Sequence, residues 1–165
     1  MELNQEYISK GEKDHALNPE ELRDLEILVE GLETKKGPAA MSKPALDVMA
    51  TIVKIITHWG PAQRLPALDL LRLTTAACPI PTTYESQYEP SVRLLEVLER
   101  GNVFDKGQPN NAMLGVRAFV NMFDSSKARE YAEETFERVF PLAVQSVEGS
   151  GNKNLKVAVA TLALK

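Results

Sequence analysis

The sequence predicts an all-α fold, a helical solenoid of about seven or eight helices. Apolar residues recur at helical spacing along most of the chain, and strand-like alternation is limited to one short segment near the end. Helix-start and helix-stop residues divide the chain into short helices with short connections. An arginine interrupts an apolar helix at Arg72 and again at Arg117, 45 positions later. That distance matches the period of armadillo and HEAT repeats, so both side chains would point to one concave face.

The composition is that of an ordinary globular domain of 165 residues, with 44% hydrophobic and 25% charged residues. Aromatic residues make up only 6%, so the core is expected to be aliphatic. The formal net charge of −4 is uneven, because residues 1–40 carry −5 and the remainder carries +1. A near-neutral body without a stripe of lysine and arginine does not predict nucleic-acid binding.

The sequence lacks the signals of a secreted protein, a membrane protein or an enzyme. The single Cys78 allows no internal disulfide or zinc site, and the longest apolar runs are far too short to span a membrane. We therefore expect a cytoplasmic or nuclear protein without a membrane partner. No phosphate-binding glycine loop, metal-ligand spacing or nucleophile motif occurs, and Cys78 has no obvious paired base. No cofactor, metal or enzymatic activity is therefore expected.

The first predicted helix follows a polar segment. Residues 1–17 are interpreted as a linker or a weak helical arm. Asn18 is a suitable N-cap, Pro19 suits the first helical position, and Glu21 completes a capping box. A helix with a one-sided apolar stripe therefore begins here and ends before the Gly-Pro pair at 37–38.

Three further helices are bounded by proline and glycine. One is predicted over 42–58, where a His-Trp-Gly-Pro sequence ends it, and the next from residue 61 or 65 to residue 77. Residues 79–90 contain several prolines and are expected to form a loop. A fourth helix is predicted over 91–100, before a glycine.

The segment 110–123 predicts a helix that is apolar on nearly every side and therefore lies inside a packed array. Arg117 and Asn121 interrupt it four positions apart, so they share one stripe of the helix. Burying a guanidinium without a partner is costly. Either a carboxylate elsewhere in the fold meets Arg117, or the stripe lines a groove in which a ligand can.

Two more helices complete the chain. One is predicted to begin at 124–126 and to be kinked or restarted at Pro141, before the Gly-Ser-Gly stop at 149–151. The last segment, 152–164, alternates at its valines like a strand, but its Asn cap and its alanines favour a helix.

Three segments resemble blocks of the PUL domain, which occurs in PLAP (PLAA)-type ubiquitin-binding adaptors and in some thioredoxin-like and peptidase fusions. They are 65–73 (LPALDLLRL), 110–123 (NNAMLGVRAFVNMF) and 150–164 (SGNKNLKVAVATLAL). The blocks occur in the family's order and at compatible spacing, and the resemblance covers residues 18–165.

The resemblance implies an armadillo-like fold and a protein-binding adaptor in ubiquitin-dependent protein degradation. The PUL family binds the acidic C-terminal tail of the valosin-containing AAA ATPase in a basic groove. The positions that match the family's blocks, and that become the candidate peptide-binding residues, are Arg72, Arg117, Asn121, Lys153 and Asn154.

The resemblance also bears on the ends of the domain. The family domain continues for several helices, so the PUL-like domain of residues 18–165 is expected to lack its C-terminal part. Its absence would expose the apolar side of the last helix, which predicts self-association through that helix.

Each candidate residue also has an ordinary structural interpretation. Arg72 can pair with Asp69, which precedes it by three positions, and Asn121 can bond the backbone of a neighbouring loop. Lys153 and Asn154 can simply begin a helix.

The alternative function is a structural helical spacer within a larger thioredoxin-like or peptidase fusion, with no ligand of its own. An internal carboxylate in contact with Arg117 would favour it. Arg64 and Lys54 are interpreted as surface residues, and His58 and Trp59 as a packing pair at a helix end.

Overall fold

A computed structural model describes residues 2–12, 14–33, 44–77, 83–84, 92–124 and 128–165. Within these residues the chain forms eight helices arranged as a helical solenoid, which confirms the predicted all-α class. The helices are α1 (Glu2–Ser9), α2 (Pro19–Glu33), α3 (Pro44–His58), α4 (Leu65–Ala77), α5 (Leu94–Arg100), α6 (Pro109–Met122), α7 (Arg129–Val147) and α8 (Lys153–Leu162).

A short β-ladder lies where the sequence predicts a loop and the start of the following helix. β1 (Thr83–Tyr84) pairs antiparallel with β2 (Val92–Arg93), and β2 leads directly into α5. Each strand has only two residues, so the ladder ties the start of α5 to the preceding chain without changing the fold class.

Two helices begin at the predicted caps. Asn18 Oδ1 accepts hydrogen bonds from the backbone N–H groups of Glu20 and Glu21, and the Glu21 carboxylate accepts from the N–H of Asn18 at 2.7 Å. This is a complete capping box at the start of α2. Asn152 is the N-cap of α8, since its Oδ1 accepts from the N–H of Leu155 at 3.0 Å. The last segment is therefore a helix and not a strand, as predicted.

The N-terminal segment is helical over α1 and is folded back on itself. The side-chain amide of Asn4 donates to the carbonyl of Leu17 at 2.9 Å, and its oxygen accepts from the N–H of the same residue. Leu17 belongs to the buried core. The division of the chain at residue 18 and the missing C-terminal part of the domain stay predictions.

Helices α4 and α6 run parallel. One hydrogen bond joins their N-terminal regions, and another joins their C-terminal regions. Asn111 Nδ2 donates to the carbonyl of Pro61, just before α4, at 3.1 Å. Near the other end, Asn121 Nδ2 donates to the carbonyl of Arg72 at 2.9 Å. The joined residues are 50 and 49 positions apart.

Helix α8 continues this parallel arrangement beyond α6. Asn152 Nδ2 donates to Asn110 Oδ1 at 2.9 Å, and Lys165 Nζ lies 2.6 Å from Asp124 Oδ1 at the other end. These pairs are 42 and 41 positions apart, so the observed spacings lie on both sides of the predicted repeat of 45. We term α4, α6 and α8 the inner layer.

Helices α3, α5 and α7 run in the opposite direction. The ends of α3 and α5 meet the start of α4 at Arg64, which donates to the carbonyls of Ile56 and Gly101. The end of α7 meets the start of α6 through an ion pair of 2.9 Å between Lys106 and Glu148. Alternating direction between consecutive helices is the arrangement of stacked helix pairs in solenoids.

Helix α6 occupies the interior, as its sequence predicts, because it packs against α4, α7 and α8. Its apolar residues belong to one core that is mostly aliphatic. The buried residues of α6 are Asn111, Ala112, Leu114, Gly115, Val116, Ala118, Phe119 and Met122.

Of the two outcomes predicted at Pro141, a restart does not occur, because α7 continues through Pro141 to Val147, and the kink stays a prediction. Proline has no N–H to bond the carbonyl four residues earlier, which belongs here to Glu137. Pro141 and Glu137 are both exposed, so water can hydrate this carbonyl and the helix can continue. The predicted start of this helix lies partly outside the described residues, in which α7 begins at Arg129.

Candidate functional site

Three of the candidate residues lie where α4 and α6 pack together. The side-chain amide of Asn121 donates to the carbonyl of Arg72 at 2.9 Å and to the hydroxyl of Thr75 at 3.3 Å. Arg117 lies one turn before Asn121 on the same stripe of α6. The stacking therefore brings Arg72, Arg117 and Asn121 to neighbouring positions of the inner layer, which we term the arginine surface.

The guanidinium of Arg72 forms the ion pair that its spacing from Asp69 predicts. Its Nη2 and Nε lie 2.7 Å and 2.8 Å from one carboxylate oxygen of Asp69. The Arg72 side chain is 27% exposed. A pair of this kind within one helix contributes only about 0.2–0.5 kcal/mol. A guanidinium has five N–H donors, so donors remain for a ligand.

The guanidinium of Arg117 has a different environment. The side chain is partly buried on α6, and among the described residues no carboxylate or other acceptor pairs with it. The internal carboxylate that would favour the spacer interpretation is therefore not found in that part of the chain. A guanidinium without an internal partner can form charge-assisted hydrogen bonds with a carboxylate that approaches it.

Asn121 bonds a backbone carbonyl, as its ordinary interpretation foresees, but this carbonyl belongs to helix α4 and not to a loop. A peptide would meet the carbonyl oxygen of this side chain, which accepts a main-chain N–H. That role in peptide binding stays a prediction.

Lys153 and Asn154 lie apart from the arginine surface. Both are exposed in the first turn of α8, next to the Asn152 cap that bonds Asn110 at the start of α6. Arg117 is seven positions further along α6, which corresponds to about 10 Å along the helix axis. The five candidates therefore form two groups, separated along the direction of the inner layer.

Arg64 is not a surface residue, contrary to its interpretation from sequence. Only 4% of the residue is exposed. Its Nη1 donates to the carbonyls of Ile56, at 3.2 Å, and Gly101, and its Nη2 donates to Gln108 Oε1 at 2.6 Å. Asn111 Nδ2 donates to the same Gln108 oxygen at 3.0 Å. One side chain therefore joins the ends of α3 and α5 to the start of α6.

The carbonyls around Arg64 explain how the fold buries a cation without a contacting carboxylate. The C-terminal ends of helices carry partial negative charge, and Arg64 meets two of them. Burial lowers the pKa of Arg64 below its ordinary value, and the nearby Asp105 carboxylate opposes that change. Its Nε and the Asn111 Oδ1 are buried without a hydrogen-bond partner among the described residues.

The sequence does contain one signal for the burial of Arg64. The residue immediately precedes α4, and a positive charge at a helix N-terminus is unfavourable for the helix dipole. No acidic residue occurs in the first turn of α4 to offset it. Arginine at such a position is explained by contacts outside its own helix.

Lys54 is also more enclosed than the sequence suggests. Its ammonium donates to the carbonyl of Ala16 at 2.8 Å and lies 3.0 Å from both carboxylate oxygens of Glu21. Lys54 therefore joins α3 to Ala16 and to the first turn of α2, and its charge is paired with Glu21.

His58 and Trp59 pack at a helix end, as predicted, and their partner is the N-terminal segment. Trp59 Nε1 donates to the carbonyl of His15 at 2.7 Å, and its ring lies 5.4 Å from the ring of Tyr7. The rings of His15 and His58 are 5.6 Å apart. The candidate thiol of Cys78 lies outside the described residues.

The described residues contain no group of three or more His, Cys, Asp or Glu side chains placed to hold a metal ion. In the same part of the chain, each helix is too short or too polar to cross a membrane. No solved structure matches the chain.

The family comparison agrees with the blocks identified in the sequence. A family model described as the PUL domain matches residues 1–164, essentially the whole chain. The match includes α1 as well as the seven helices that follow it. The chain belongs to the PUL domain family, whose members are helical protein-interaction modules.

Proposed function

We propose that the inner layer binds the acidic C-terminal tail of the valosin-containing AAA ATPase. The protein would then be an adaptor in ubiquitin-dependent protein degradation, in the cytoplasm or the nucleus. Family membership supports a protein partner, and the arginine surface supports an acidic one. Arginine suits this task because its guanidinium stays charged and binds a carboxylate through two parallel hydrogen bonds.

One observation carries the proposal, namely the unpaired state of Arg117 within the described residues. Its side chain is partly buried, and no described carboxylate meets it. Arg72 lies on the adjacent parallel helix and keeps donors beyond its pair with Asp69. An acidic peptide segment on the arginine surface would therefore supply Arg117 with the carboxylate that the described part of the chain does not provide.

The second group of candidates defines the length of peptide that the proposal requires. Lys153 and Asn154 lie about 10 Å from the level of Arg117 along the inner layer. An extended peptide covers that distance with about three residues. A short acidic segment running along α6 can therefore place one carboxylate at the arginines and another near Lys153.

Calorimetric titration of a synthetic peptide with the sequence of the ATPase tail tests the proposal. Hydrogen bonds to charged groups contribute about 1.5–3 kcal/mol, so Arg72→Ala and Arg117→Ala should each weaken binding about tenfold or more. Added salt should weaken binding further in the unmodified protein. Arg138→Ala is the matched control, because Arg138 is an exposed arginine on α7 whose partner is Glu99, 2.9 Å away.

Shortened peptides separate the two groups of candidates. Removing residues from the end that reaches α8 should abolish the effect of Lys153→Ala and leave the effect of Arg117→Ala. If the folded Arg72→Ala, Arg117→Ala double variant binds the peptide with unchanged affinity, the arginine surface is not the site. Absence of binding in the unmodified protein would favour the spacer function.

A further inference from the structure

The two helices that carry the arginine surface contain few charged residues. Helix α4 contains Asp69 and Arg72, and helix α6 contains Arg117. Asp69 is thus the only acidic residue of these helices, and two arginines against one aspartate give them a formal charge of +1. One of the two positive charges that would attract an acidic peptide is therefore offset within the protein itself.

Asp69 occupies one edge of the Arg72 guanidinium. The same carboxylate oxygen lies 2.7 Å from Nη2 and 2.8 Å from Nε of Arg72. These two nitrogens form the side edge of the guanidinium, with which arginine can bind a carboxylate through two parallel hydrogen bonds. A peptide that approaches Arg72 must therefore use the donors at the other edges, or displace Asp69.

Asp69 also lies at the level of Arg117 along the helix stack. Asn121 bonds the carbonyl of Arg72, and Arg117 precedes Asn121 by about one turn. Because α4 and α6 run parallel, the part of α4 beside Arg117 precedes Arg72 by about one turn, and Asp69 is in that turn. The Asp69 side chain is 46% exposed. A peptide carboxylate at Arg117 would therefore approach the negative charge of Asp69.

We propose that Asp69 determines the specificity of the arginine surface, because it competes with a bound peptide for Arg72 and repels the carboxylates of that peptide. This inference rests on the proposed function, since it concerns the same site. Asp69 lowers the affinity for every acidic segment, so charge alone does not suffice for binding. A peptide that binds must also match the surface in shape and in hydrogen bonding.

A purely structural role of Asp69 predicts the opposite behaviour. If Asp69 served only to hold Arg72 in place, removal of its charge would loosen the guanidinium and weaken peptide binding. If Asp69 competes with the peptide, the same change frees donors of Arg72 and raises the formal charge of the two helices from +1 to +2. The direction of the change in affinity therefore separates the two roles.

Calorimetric titration of Asp69→Asn with the synthetic ATPase-tail peptide measures this direction. Asparagine keeps the shape of the side chain and removes its charge. The affinity should increase about two- to fivefold, which corresponds to the contribution of one exposed charge, and the gain should shrink as salt is added. Circular dichroism checks that the variant is folded.

Glu99→Gln is the matched control for the change in charge. Glu99 pairs with Arg138 at 2.9 Å, between α5 and α7 and outside the arginine surface. This substitution also removes one negative charge and frees one arginine, but it should leave the affinity for the tail peptide unchanged. An equal gain in Glu99→Gln would overturn the proposal, because the net charge of the chain and not the place of Asp69 would then be the cause.

Poly-glutamate tests specificity, because it is an acidic peptide without the sequence of the tail. Several of its carboxylates lie within the range of the charge at position 69, which is about 10 Å in 0.1 M salt. Its affinity for Asp69→Asn should therefore increase by a larger factor than that of the tail peptide. An equal or smaller factor would overturn the role in specificity.

The remaining outcomes distinguish this inference from the proposed function. Unchanged or weaker binding of the tail peptide by Asp69→Asn would overturn the inference alone, provided that the unmodified protein binds the peptide. A gain that is independent of salt would also overturn it, since charge would not be the cause. If neither protein binds the tail peptide, the proposed function fails and the inference fails with it.

Discussion

The side-chain amide of Asn121 is a small group with two neighbours on another helix. It donates to the carbonyl of Arg72 and to the hydroxyl of Thr75, and so fixes the register of α6 against α4. Any ligand contact of Asn121 must be compatible with this link. The residue therefore positions the arginine surface whether or not it touches a peptide.

Replacing Asn121 with alanine should destabilise the fold. The loss of a partly buried hydrogen bond costs about 1–2 kcal/mol, so we expect a lower denaturant midpoint in Asn121→Ala. Asn154→Ala is the control, since Asn154 is exposed and alanine favours a helix. Equal stability of the two variants would contradict the positioning role.

Arg72 and Arg64 illustrate which residue environments a sequence reveals. The pair of Arg72 with Asp69 follows from a spacing of three positions within one helix, and it forms as expected. The burial of Arg64 depends on carbonyls and an amide 8 to 44 positions away, at the ends of three other elements. Only the assembled fold brings these groups together, so local patterns could not predict this environment.

At the scale of helices, capping residues and helix-breaking residues near each end determine where most helices begin and end. The caps at Asn18 and Asn152 begin α2 and α8 as predicted, because each satisfies N–H groups of its own first turn. The sequence left open whether Pro141 kinks or restarts its helix, and α7 does not restart there, since the carbonyl that the proline leaves unbonded belongs to an exposed residue. That exposure is decided by the neighbouring helices and not by the residues around the proline.

Helices α3 and α5 approach each other closely at Gly101, which follows α5. A Cβ atom there would lie 2.7 Å from the backbone oxygen of Ile56 on α3. Backbone cannot move aside as a flexible side chain can, and the same region includes the contacts of Arg64. The small size of this residue is therefore a condition for the packing of α5 against α3.

Gly101→Ala should accordingly destabilise the protein. Overpacking of this kind costs about 1–3 kcal/mol, which a shift in the denaturant midpoint would detect. Gly151→Ala serves as the comparison, because a Cβ atom at Gly151 meets nothing within 4 Å. The prediction would be wrong if both substitutions left stability unchanged.

At the scale of the molecule, the parallel stacking of the inner layer decides which candidate residues meet. The predicted repeat correctly places Arg72 and Arg117 on adjacent stacked helices, and the shared stripe adds Asn121. Lys153 is separated from them because the start of α8 aligns with the start of α6. This alignment depends on the register between helices, which sequence periodicity gives only approximately.

The N-terminal segment is part of the same folded body through Trp59 and Lys54. Trp59→Phe removes the donor to His15 but keeps an aromatic ring beside Tyr7. We expect faster amide hydrogen exchange in residues 2–17 and little change in α6, since one hydrogen bond contributes about 1 kcal/mol. Uniform loss of protection along the chain would contradict a local role for this contact.

Trp59 is the only tryptophan of the protein, and its indole is bonded to the segment that it holds. Its fluorescence emission therefore responds to the detachment of that segment, while circular dichroism reports on the helices together. A red shift that precedes the loss of ellipticity during denaturation would reveal a partly opened species. The protein thus contains an intrinsic fluorescent probe of the order in which its parts unfold.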